Sequence, residues 1–231
     1  MPSRNRVLVT GTSSGIGQAV AQYLIAHDYE VCGLDISHPT INDPKFKHIE
    51  LDLTDGQAID RYLAQAETFD SFVHCAGVLR VNPVGALNPS DLDLMWRIHV
   101  AALTRLANIV IPRMVAQQYG RVVLVGSRVA QGLPGRSQYA ATKAALIALA
   151  KSWAAETVAD GVTVNVVSPA ATQTAMLADP SRQSVSPKVP PIGRLIKPEE
   201  IASFVAYLLS PMAAPITGQD VQICGGASLP S

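Results

Sequence analysis

The sequence has little charge, few aromatic residues and only three cysteines. Charged residues make up 16% of the 231 positions and aromatic residues 5%, whereas hydrophobic residues make up 48%. This composition supports a sizeable core and excludes an intrinsically disordered protein. The 18 basic and 18 acidic residues leave no net charge, so no overall field attracts nucleic acid or an anionic membrane. We therefore expect neither of them as a partner.

The cysteines and the long apolar stretches exclude further classes. Cys32, Cys75 and Cys224 are odd in number and widely separated, and their spacing matches no metal site. We expect reduced thiols, no metal and a cytoplasmic protein without a targeting segment. The longest uncharged apolar stretch, residues 201–219, contains Pro211 and Pro215. It predicts a core helix followed by a loop rather than a membrane span.

Short apolar runs rich in β-branched residues alternate with helical patterns along the chain. The apolar runs are RVLVTG, YEVCGLD, KHIELD, FDSFVHCAG, GRVVLVGS, GVTVNVVSP and DVQICGG. Helical patterns lie between them, at about 15–27, 55–66, 90–118, 137–159 and 198–210. The alternation predicts an α/β fold with a doubly wound, Rossmann-type parallel sheet of about seven strands and helices on both faces. We expect a single domain, residues 1–231, with its ligands beyond the carboxyl ends of the strands.

The turn after the first strand, VLVTGTSSGIG, is rich in glycine. Glycines permit positive φ and close approach of the backbone, and the helix that follows offers free N–H groups to a pyrophosphate. The candidate cofactor ligands in this turn are Gly11, Ser13, Ser14, Gly15, Ile16 and Gly17. Residues 11–15 also match the G-x-S-x-G pattern of a hydrolase, in which Ser13 would be the nucleophile. That interpretation gives Gly17 no role, and no histidine follows His99, so the pattern favours a dinucleotide site.

Asp35 ends the second strand pattern, twenty residues after Gly15. A carboxylate at this position accepts hydrogen bonds from the hydroxyls of the adenosine ribose. It also repels a 2′-phosphate. Asp35 therefore predicts NAD rather than NADP as the cofactor.

Tyr139 and Lys143 stand four residues apart at the start of the predicted helix 137–159, so they share one face. A free tyrosine has a pKa of about 10, too high for a base near neutrality, but a neighbouring ammonium favours the phenolate. The pair can therefore serve as an acid/base that exchanges a proton with an alcohol or carbonyl oxygen. Taken alone, the spacing is more typical of a structural tyrosine at the start of a helix beside an exposed lysine.

Taken together, these motifs make the sequence resemble the short-chain dehydrogenase/reductase family over essentially its whole length. The resemblance rests on the T-G-x-x-x-G-x-G turn, Ser127 after the fifth strand, the pair Tyr139 and Lys143, and the segment NVVSPAATQTAM. It implies an oxidoreductase that transfers hydride between nicotinamide and a secondary alcohol or ketone. It implies Tyr139 as the catalytic acid/base, Lys143 as its activator and ribose anchor, and Ser127 as the residue that orients the substrate oxygen. The remaining cofactor contacts that it implies are Asp52, Leu53, Cys75, Ala76, Gly77, Pro169, Ala170, Thr172 and Thr174.

The chain departs from the family pattern at several positions. His99 stands where the family has an asparagine that supports a water relay to the lysine. A relay role and that of a buried, internally satisfied histidine are both open. Ser127 lies twelve residues before Tyr139, one fewer than is usual, while Cys75 replaces an asparagine and Ala170 a glycine. These departures motivate an alternative, a dinucleotide-binding regulatory protein with weak catalysis.

Few features of the sequence indicate the substrate. The segments CAGVLR, NVVSPAATQTAM and PIGRLIKPEEIA resemble the dihydro-dihydroxybenzoate dehydrogenase branch, which implies a small cyclic hydroxy acid. Arg80 and Arg136 are candidate ligands for its carboxylate, with a solvated loop arginine as the alternative for each. A 3-oxoacyl-carrier-protein reductase is the other candidate, although that branch usually prefers NADPH, which Asp35 opposes.

Two further expectations concern the lid and the assembly. Residues 175–194 occupy the place of the family's substrate lid, and their short, proline-rich sequence predicts a relatively open pocket. The helical patterns 90–118 and 137–159 are more apolar than one sheet face requires, which is typical of a subunit interface. Together with the resemblance, this predicts a homodimer or homotetramer.

Overall fold

The computed structural model describes residues 5–178 and 188–229. Seven strands form one parallel sheet in the order β3-β2-β1-β4-β5-β6-β7. The strands are β1 (Arg6–Thr10), β2 (Glu30–Asp35), β3 (Phe46–Glu50), β4 (Ser71–His74), β5 (Gly120–Val125), β6 (Val162–Pro169) and β7 (Asp220–Ile223). The predicted doubly wound sheet is thus confirmed. Its strand order reverses between β1 and β4, which opens a crevice at their carboxyl ends.

Helices cover both faces of the sheet. They are α1 (Gly15–Ala26), α2 (Gly56–Gln65), α3 (Pro89–Trp96), α4 (Ala102–Ala116), α5 (Ser137–Thr157) and α6 (Pro198–Leu209). One core contains the buried apolar side chains of α1 and α6, and the other contains those of α2, α4 and the part of α5 from Leu146 onward. Tyr139 and Ala140 at the start of α5 belong to a third, smaller cluster. Val7 and Val9 of β1 belong to the first core and Leu8 to the second. This alternation is that of a strand buried on both faces.

The helical pattern at 90–118 is interrupted in the structure. Residues Arg97–Ala101 form a π-helical turn between α3 and α4, which apolar periodicity does not show because the same face stays buried. The helix then ends at Ala116, and Gln118 has a φ of +54°. The start of α3 follows local signals, since the Asn88 side chain accepts from the Ser90 N–H and Pro89 comes first in the helix.

One helical run in the described parts of the chain, Pro89–Ala116, is long and apolar enough to cross a membrane by length and composition. Half of its apolar window is buried inside the protein, and Leu103, Leu106 and Met114 are wholly inaccessible. This packing is that of the core helix of a globular domain. The core helix predicted within residues 201–219 is confirmed as part of α6.

Candidate active site

A cavity of about 1120 Å³ opens at the carboxyl ends of the strands. It is lined by the segments that follow β1, β2, β3, β4, β5 and β6 and by the first turns of α5. Every predicted site residue lines it except Ser13, Arg80 and His99. The topology therefore brings the predicted catalytic and cofactor residues together, although they come from all parts of the chain.

The glycine turn after β1 is shaped by close backbone contacts. Gly11 has a φ of +77°, and a Cβ there would lie 2.9 Å from the Ala76 backbone. A Cβ on Gly17 would lie 2.0 Å from the carbonyl oxygen of Gly11. Ser14 precedes α1 and its hydroxyl makes no capping hydrogen bond. Tight glycines, a helix N-terminus and an uncommitted hydroxyl fit the pyrophosphate of a dinucleotide.

Ser13 supports Asp35 instead of facing the cavity. The Ser13 N–H donates to Asp35 Oδ2 at 2.9 Å, and the Ser37 N–H donates to Asp35 Oδ1 at 2.8 Å. The two amides fix the carboxylate, and each of its oxygens keeps a lone pair for a ribose hydroxyl. The Ser13 hydroxyl donates to the Ser37 carbonyl at 3.1 Å. In the part of the chain that the structure describes, no histidine bonds to this hydroxyl, so the hydrolase alternative has no catalytic partner.

Lys143 and Tyr139 lie on one face of α5 and both line the cavity. Lys143 is 4% exposed, and its ammonium donates to the Val125 carbonyl at 2.8 Å. The ammonium lies 5.8 Å from the centroid of the Tyr139 ring. Burial lowers the pKa of Lys143 to about 8, partly opposed by the charge of the Cys75 thiolate form. The structure thus places a buried cation beside the phenol.

Ser127 lies at the end of β5 and is almost fully buried. Its Oγ accepts from the Val129 N–H at 3.2 Å and caps the short 3-10 turn Arg128–Gln131. Gly132 and Gly135 follow with φ of +99° and +74°. These left-handed residues turn the chain sharply, so the shortened spacing still brings Ser127 to the same cavity as Tyr139.

The His99 ring is fully buried and bonded on both nitrogens. The Val78 N–H donates to Nε2 at 3.0 Å, and Nδ1 lies 2.8 Å from Thr142 Oγ1. Burial, followed by the charges of Lys143 and His74, lowers the pKa of His99 well below its usual value. Of the two interpretations of His99, this geometry is that of an internally satisfied histidine, whose partners are the Val78 backbone amide and the Thr142 hydroxyl.

A second buried histidine, His74, was not predicted. Thr10 Oγ1 accepts from the N–H groups of Cys75 and Ala76, both at 3.1 Å, and lies 3.0 Å from His74 Nδ1. The hydroxyl proton is therefore available to Nδ1, and the network ties the end of β1 to the end of β4 beneath the cavity. Burial, then the charge of Lys143, lowers the pKa of His74 to about 3. The presence of a histidine in an otherwise apolar strand could have identified His74 as a buried polar residue near the site.

The two candidate carboxylate ligands differ in position. Arg136 lines the cavity and precedes α5, whereas Arg80 does not line it. Arg80 Nε lies 3.8 Å from Asp91, and its Nη1 donates to the Leu79 carbonyl at 3.2 Å. Two cationic residues that were not predicted, Arg128 and Lys188, also line the cavity. Arg128 directly follows Ser127, so its position after the end of β5 could have identified it as a site residue.

The segment predicted as a substrate lid is described only at its two ends. Ala175–Ala178 forms a 3-10 turn, and Lys188, Val189 and Pro191 line the cavity. Residues 179–187 lie outside the described residues. At the base of this segment, a Cβ on Gly15 would lie 3.3 Å from Thr174 Cγ2, so Thr174, a predicted cofactor contact, packs beside the glycine turn.

Comparisons with known proteins agree with this fold and site. A family model described as enoyl-(acyl carrier protein) reductase matches residues 11–228. The 3-oxoacyl-[acyl-carrier-protein] reductase of Salmonella typhimurium is 36% identical over 233 residues, which cover 95% of each chain. A solved short chain dehydrogenase/reductase family protein has a TM-score of 0.86 at 32% identity and covers 96% of each chain. The aldohexose dehydrogenase of Thermoplasma acidophilum has a TM-score of 0.87 at 27% identity, covering 98% of this chain and 95% of its own.

The fold and the site define a class of α/β proteins that bind a nicotinamide dinucleotide at the crevice of a parallel sheet. Within that class, the chain belongs to the short-chain dehydrogenase/reductase family of oxidoreductases.

Proposed function

We propose that the protein is an NAD-dependent dehydrogenase that interconverts a secondary alcohol and its ketone, with a small cyclic hydroxy acid as substrate. The observation that carries this proposal is the buried Lys143 ammonium beside Tyr139 in a cavity that also contains Ser127. These three side chains supply the acid/base, its activator and a donor for the substrate oxygen.

The choice of NAD over NADP follows from the distribution of charge around the cavity. In the described residues the acidic lining side chains are Asp35 and Asp52, which follow β2 and β3. The cationic lining residues belong to the segments after β5 and β6 or to α5. A 2′-phosphate held near Asp35 would therefore meet a carboxylate, and the described segments that follow β1, β2 and β3 bring no lysine or arginine to the cavity lining there.

Each residue has a defined part in the proposed reaction. The turn Gly11–Gly17 would hold the pyrophosphate, Asp35 the adenosine ribose and Thr174 the carboxamide. The bound dinucleotide supplies the hydride acceptor or donor. In oxidation, Tyr139 Oη takes the hydroxyl proton of the substrate, and in reduction it returns that proton. The Lys143 ammonium stabilises the phenolate, more strongly because both groups are shielded from water.

The proposed carboxylate of the substrate is recognised by arginine. Arg136 precedes Tyr139 by three residues, about one helical turn, and Arg128 directly follows Ser127. Guanidinium groups bind carboxylates through paired, charge-assisted hydrogen bonds. These two residues therefore suit an acid whose reacting carbinol reaches Tyr139 and Ser127.

Two other functions have specific support. Identity to the 3-oxoacyl-[acyl-carrier-protein] reductase of Salmonella typhimurium favours reduction of a 3-oxoacyl thioester. The histidine at position 99, where the family has asparagine, favours a dinucleotide-binding regulatory protein with weak catalysis. Either function would use the same cofactor cavity, so the substrate separates them.

A substrate panel run in parallel with NAD and NADP tests the proposal. It contains cyclic hydroxy acids, their methyl esters, simple secondary alcohols and 3-hydroxyacyl thioesters, with reduced cofactor followed by absorbance. We expect turnover of a hydroxy acid with NAD. Preference for a thioester with NADP would support the reductase, and cofactor binding without any turnover would support the regulatory protein. Full turnover by Tyr139→Phe would overturn the mechanism.

We further propose that the protein is cytoplasmic and assembles as a homodimer or homotetramer through α4 and α5. These helices carry apolar side chains that the core covers only in part, namely Ile109, Val115, Ala145, Ile147, Leu149 and Trp153. A second copy would cover them. Light scattering after size exclusion tests this, and a monomer at all protein concentrations would contradict it.

A further inference from the structure

His99 bridges the cavity wall and the helix that carries Tyr139. Its Nε2 accepts from the N–H of Val78 at 3.0 Å, and Gly77, Val78 and Leu79 all line the cavity. On the other side, Nδ1 lies 2.8 Å from Thr142 Oγ1, and the Thr142 hydroxyl donates to the Tyr139 carbonyl at 2.9 Å. Both His99 and Thr142 are wholly inaccessible to solvent.

The proton positions in this chain of hydrogen bonds are determined by its two ends. A threonine hydroxyl has one proton, and that of Thr142 goes to the Tyr139 carbonyl. The proton between His99 and Thr142 therefore belongs to Nδ1. At the other end the Val78 N–H directs its proton at Nε2, so Nε2 must hold a lone pair. Both ends select the neutral Nδ1–H tautomer. In a protonated ring, the Nε2–H would point at the Val78 N–H, and two donors would face each other.

The ring of His99 also contacts its neighbours directly. It meets the Tyr139 ring edge to face, with centroids 5.6 Å apart and planes at 86°. A Cβ on Gly77 would lie 2.9 Å from His99 Nε2, so the imidazole fills the space under this glycine. Besides Tyr139, the titratable and charged groups that act on the ring are Lys143 and His74, and the charges of both oppose its protonation.

We propose that His99 and Thr142 are positioning residues that form a directed hydrogen-bond chain from the Val78 N–H to the Tyr139 carbonyl. This hydrogen-bond chain holds the first turn of α5 in a fixed position relative to the cavity segment 77–79. His99 remains neutral throughout turnover and relays no proton. The inference rests on the proposed function in one respect, that Tyr139 is the acid/base.

Nitrogen-15 NMR of the histidine rings of the full-length wild type tests the tautomer without any substrate. His99→Asn identifies the His99 signals by their loss. We expect the neutral Nδ1–H tautomer from about pH 5 to pH 8, across the range in which an ordinary histidine titrates. His74 is an internal control, because the Thr10 hydroxyl donates to its Nδ1 and so selects the opposite tautomer. Titration of His99 in this range, or an Nε2–H ring, would overturn the inference.

Variants of Thr142 test whether the hydrogen-bond chain positions Tyr139. Thr142→Val removes the hydroxyl at nearly constant shape, and Thr142→Ser keeps it. We expect Thr142→Val to lower kcat on the order of 10- to 100-fold with little change in the Kd of NADH, and Thr142→Ser to retain most activity. The pH dependence of kcat should keep its shape in both. Equal kcat values in the two variants, or a displaced pH profile, would count against the inference.

His99 variants complete the test. Asparagine can accept from Val78 and donate to Thr142, whereas leucine can do neither, so His99→Asn should retain more kcat than His99→Leu. The reverse order would contradict the positioning role. If no substrate in the panel is turned over, the proposed function fails, while the NMR result still decides the tautomer of His99.

Discussion

The Lys143 ammonium lies 5.8 Å from the centre of the Tyr139 ring, and both side chains are buried at the start of α5. The Val125 carbonyl at the end of β5 fixes the ammonium at 2.8 Å. Charges interact more strongly where water is excluded. The sheet therefore contributes to the chemistry of the pair, because it supplies both the anchor and the shielding.

Tyr139→Phe removes the proposed acid/base and leaves the ring. We expect kcat to fall on the order of 10²- to 10⁴-fold, the usual contribution of general acid/base catalysis, while the Kd of NADH stays near that of the wild type. Steady-state kinetics and fluorescence titration measure the two quantities. Tyr207→Phe is the matched control, because Tyr207 is 44% exposed on α6 and does not line the cavity. A Tyr139→Phe enzyme as active as this control would contradict the assignment.

Arg136→Gln and Arg128→Gln should weaken recognition of the acid. A charge-assisted hydrogen bond contributes about 1.5–3 kcal/mol, so we expect KM for the hydroxy acid to rise roughly 10- to 100-fold. KM for the methyl ester should change little, since the ester carries no charge. Arg61→Gln is the control, because its side chain is 68% exposed on α2. A parallel rise for acid and ester would instead indicate a structural role for the arginines.

Buried neutral histidines make the stability depend on pH. The pKa of His74 is lowered to about 3 in the folded protein, so the unfolded chain binds a proton first as the pH falls. Stability is therefore complete above about pH 6.5, the usual pKa of histidine, and is lost below it. We expect His74 to account for about 2 kcal/mol of the loss in unfolding free energy between pH 7 and pH 5.

Urea unfolding of His74→Asn at both pH values checks this dependence. The variant should lose less stability than the wild type between the two pH values, because one buried histidine is gone. His38→Asn should behave like the wild type, since the side chain of His38 is 92% exposed. If all three proteins showed the same change, His74 would not be held neutral.

Much of the fold was predictable because it follows from local patterns. Strands buried on both faces are apolar throughout, and their alternation with helices leaves few topologies. The same logic placed Ser127, Tyr139 and Lys143 at one edge of the sheet. The π-helical turn Arg97–Ala101 was not predictable, because it shifts hydrogen bonds without changing which face is apolar.

The finer geometry of the site depends on contacts that the sequence does not show. Ser13 belongs to a phosphate-binding pattern, yet its amide donates to the Asp35 carboxylate and its hydroxyl donates to the Ser37 carbonyl. Arg80 and Arg128 both follow strands, but Asp91 lies beside the first and only the second lines the cavity. Such choices depend on side-chain partners distant in sequence, which a single sequence does not reveal.

The most direct test of the central claim is a fluorescence titration of the wild type with NADH and with NADPH. NADH should bind about tenfold more tightly or better, because in the proposed site Asp35 would accept hydrogen bonds from the ribose hydroxyls and would repel a 2′-phosphate. Asp35→Ala should remove most of this preference, and Asp93→Ala, an exposed change on α3, should not. Tighter binding of NADPH by the wild type, or no binding of either nucleotide, would contradict the assignment of this cavity to NAD.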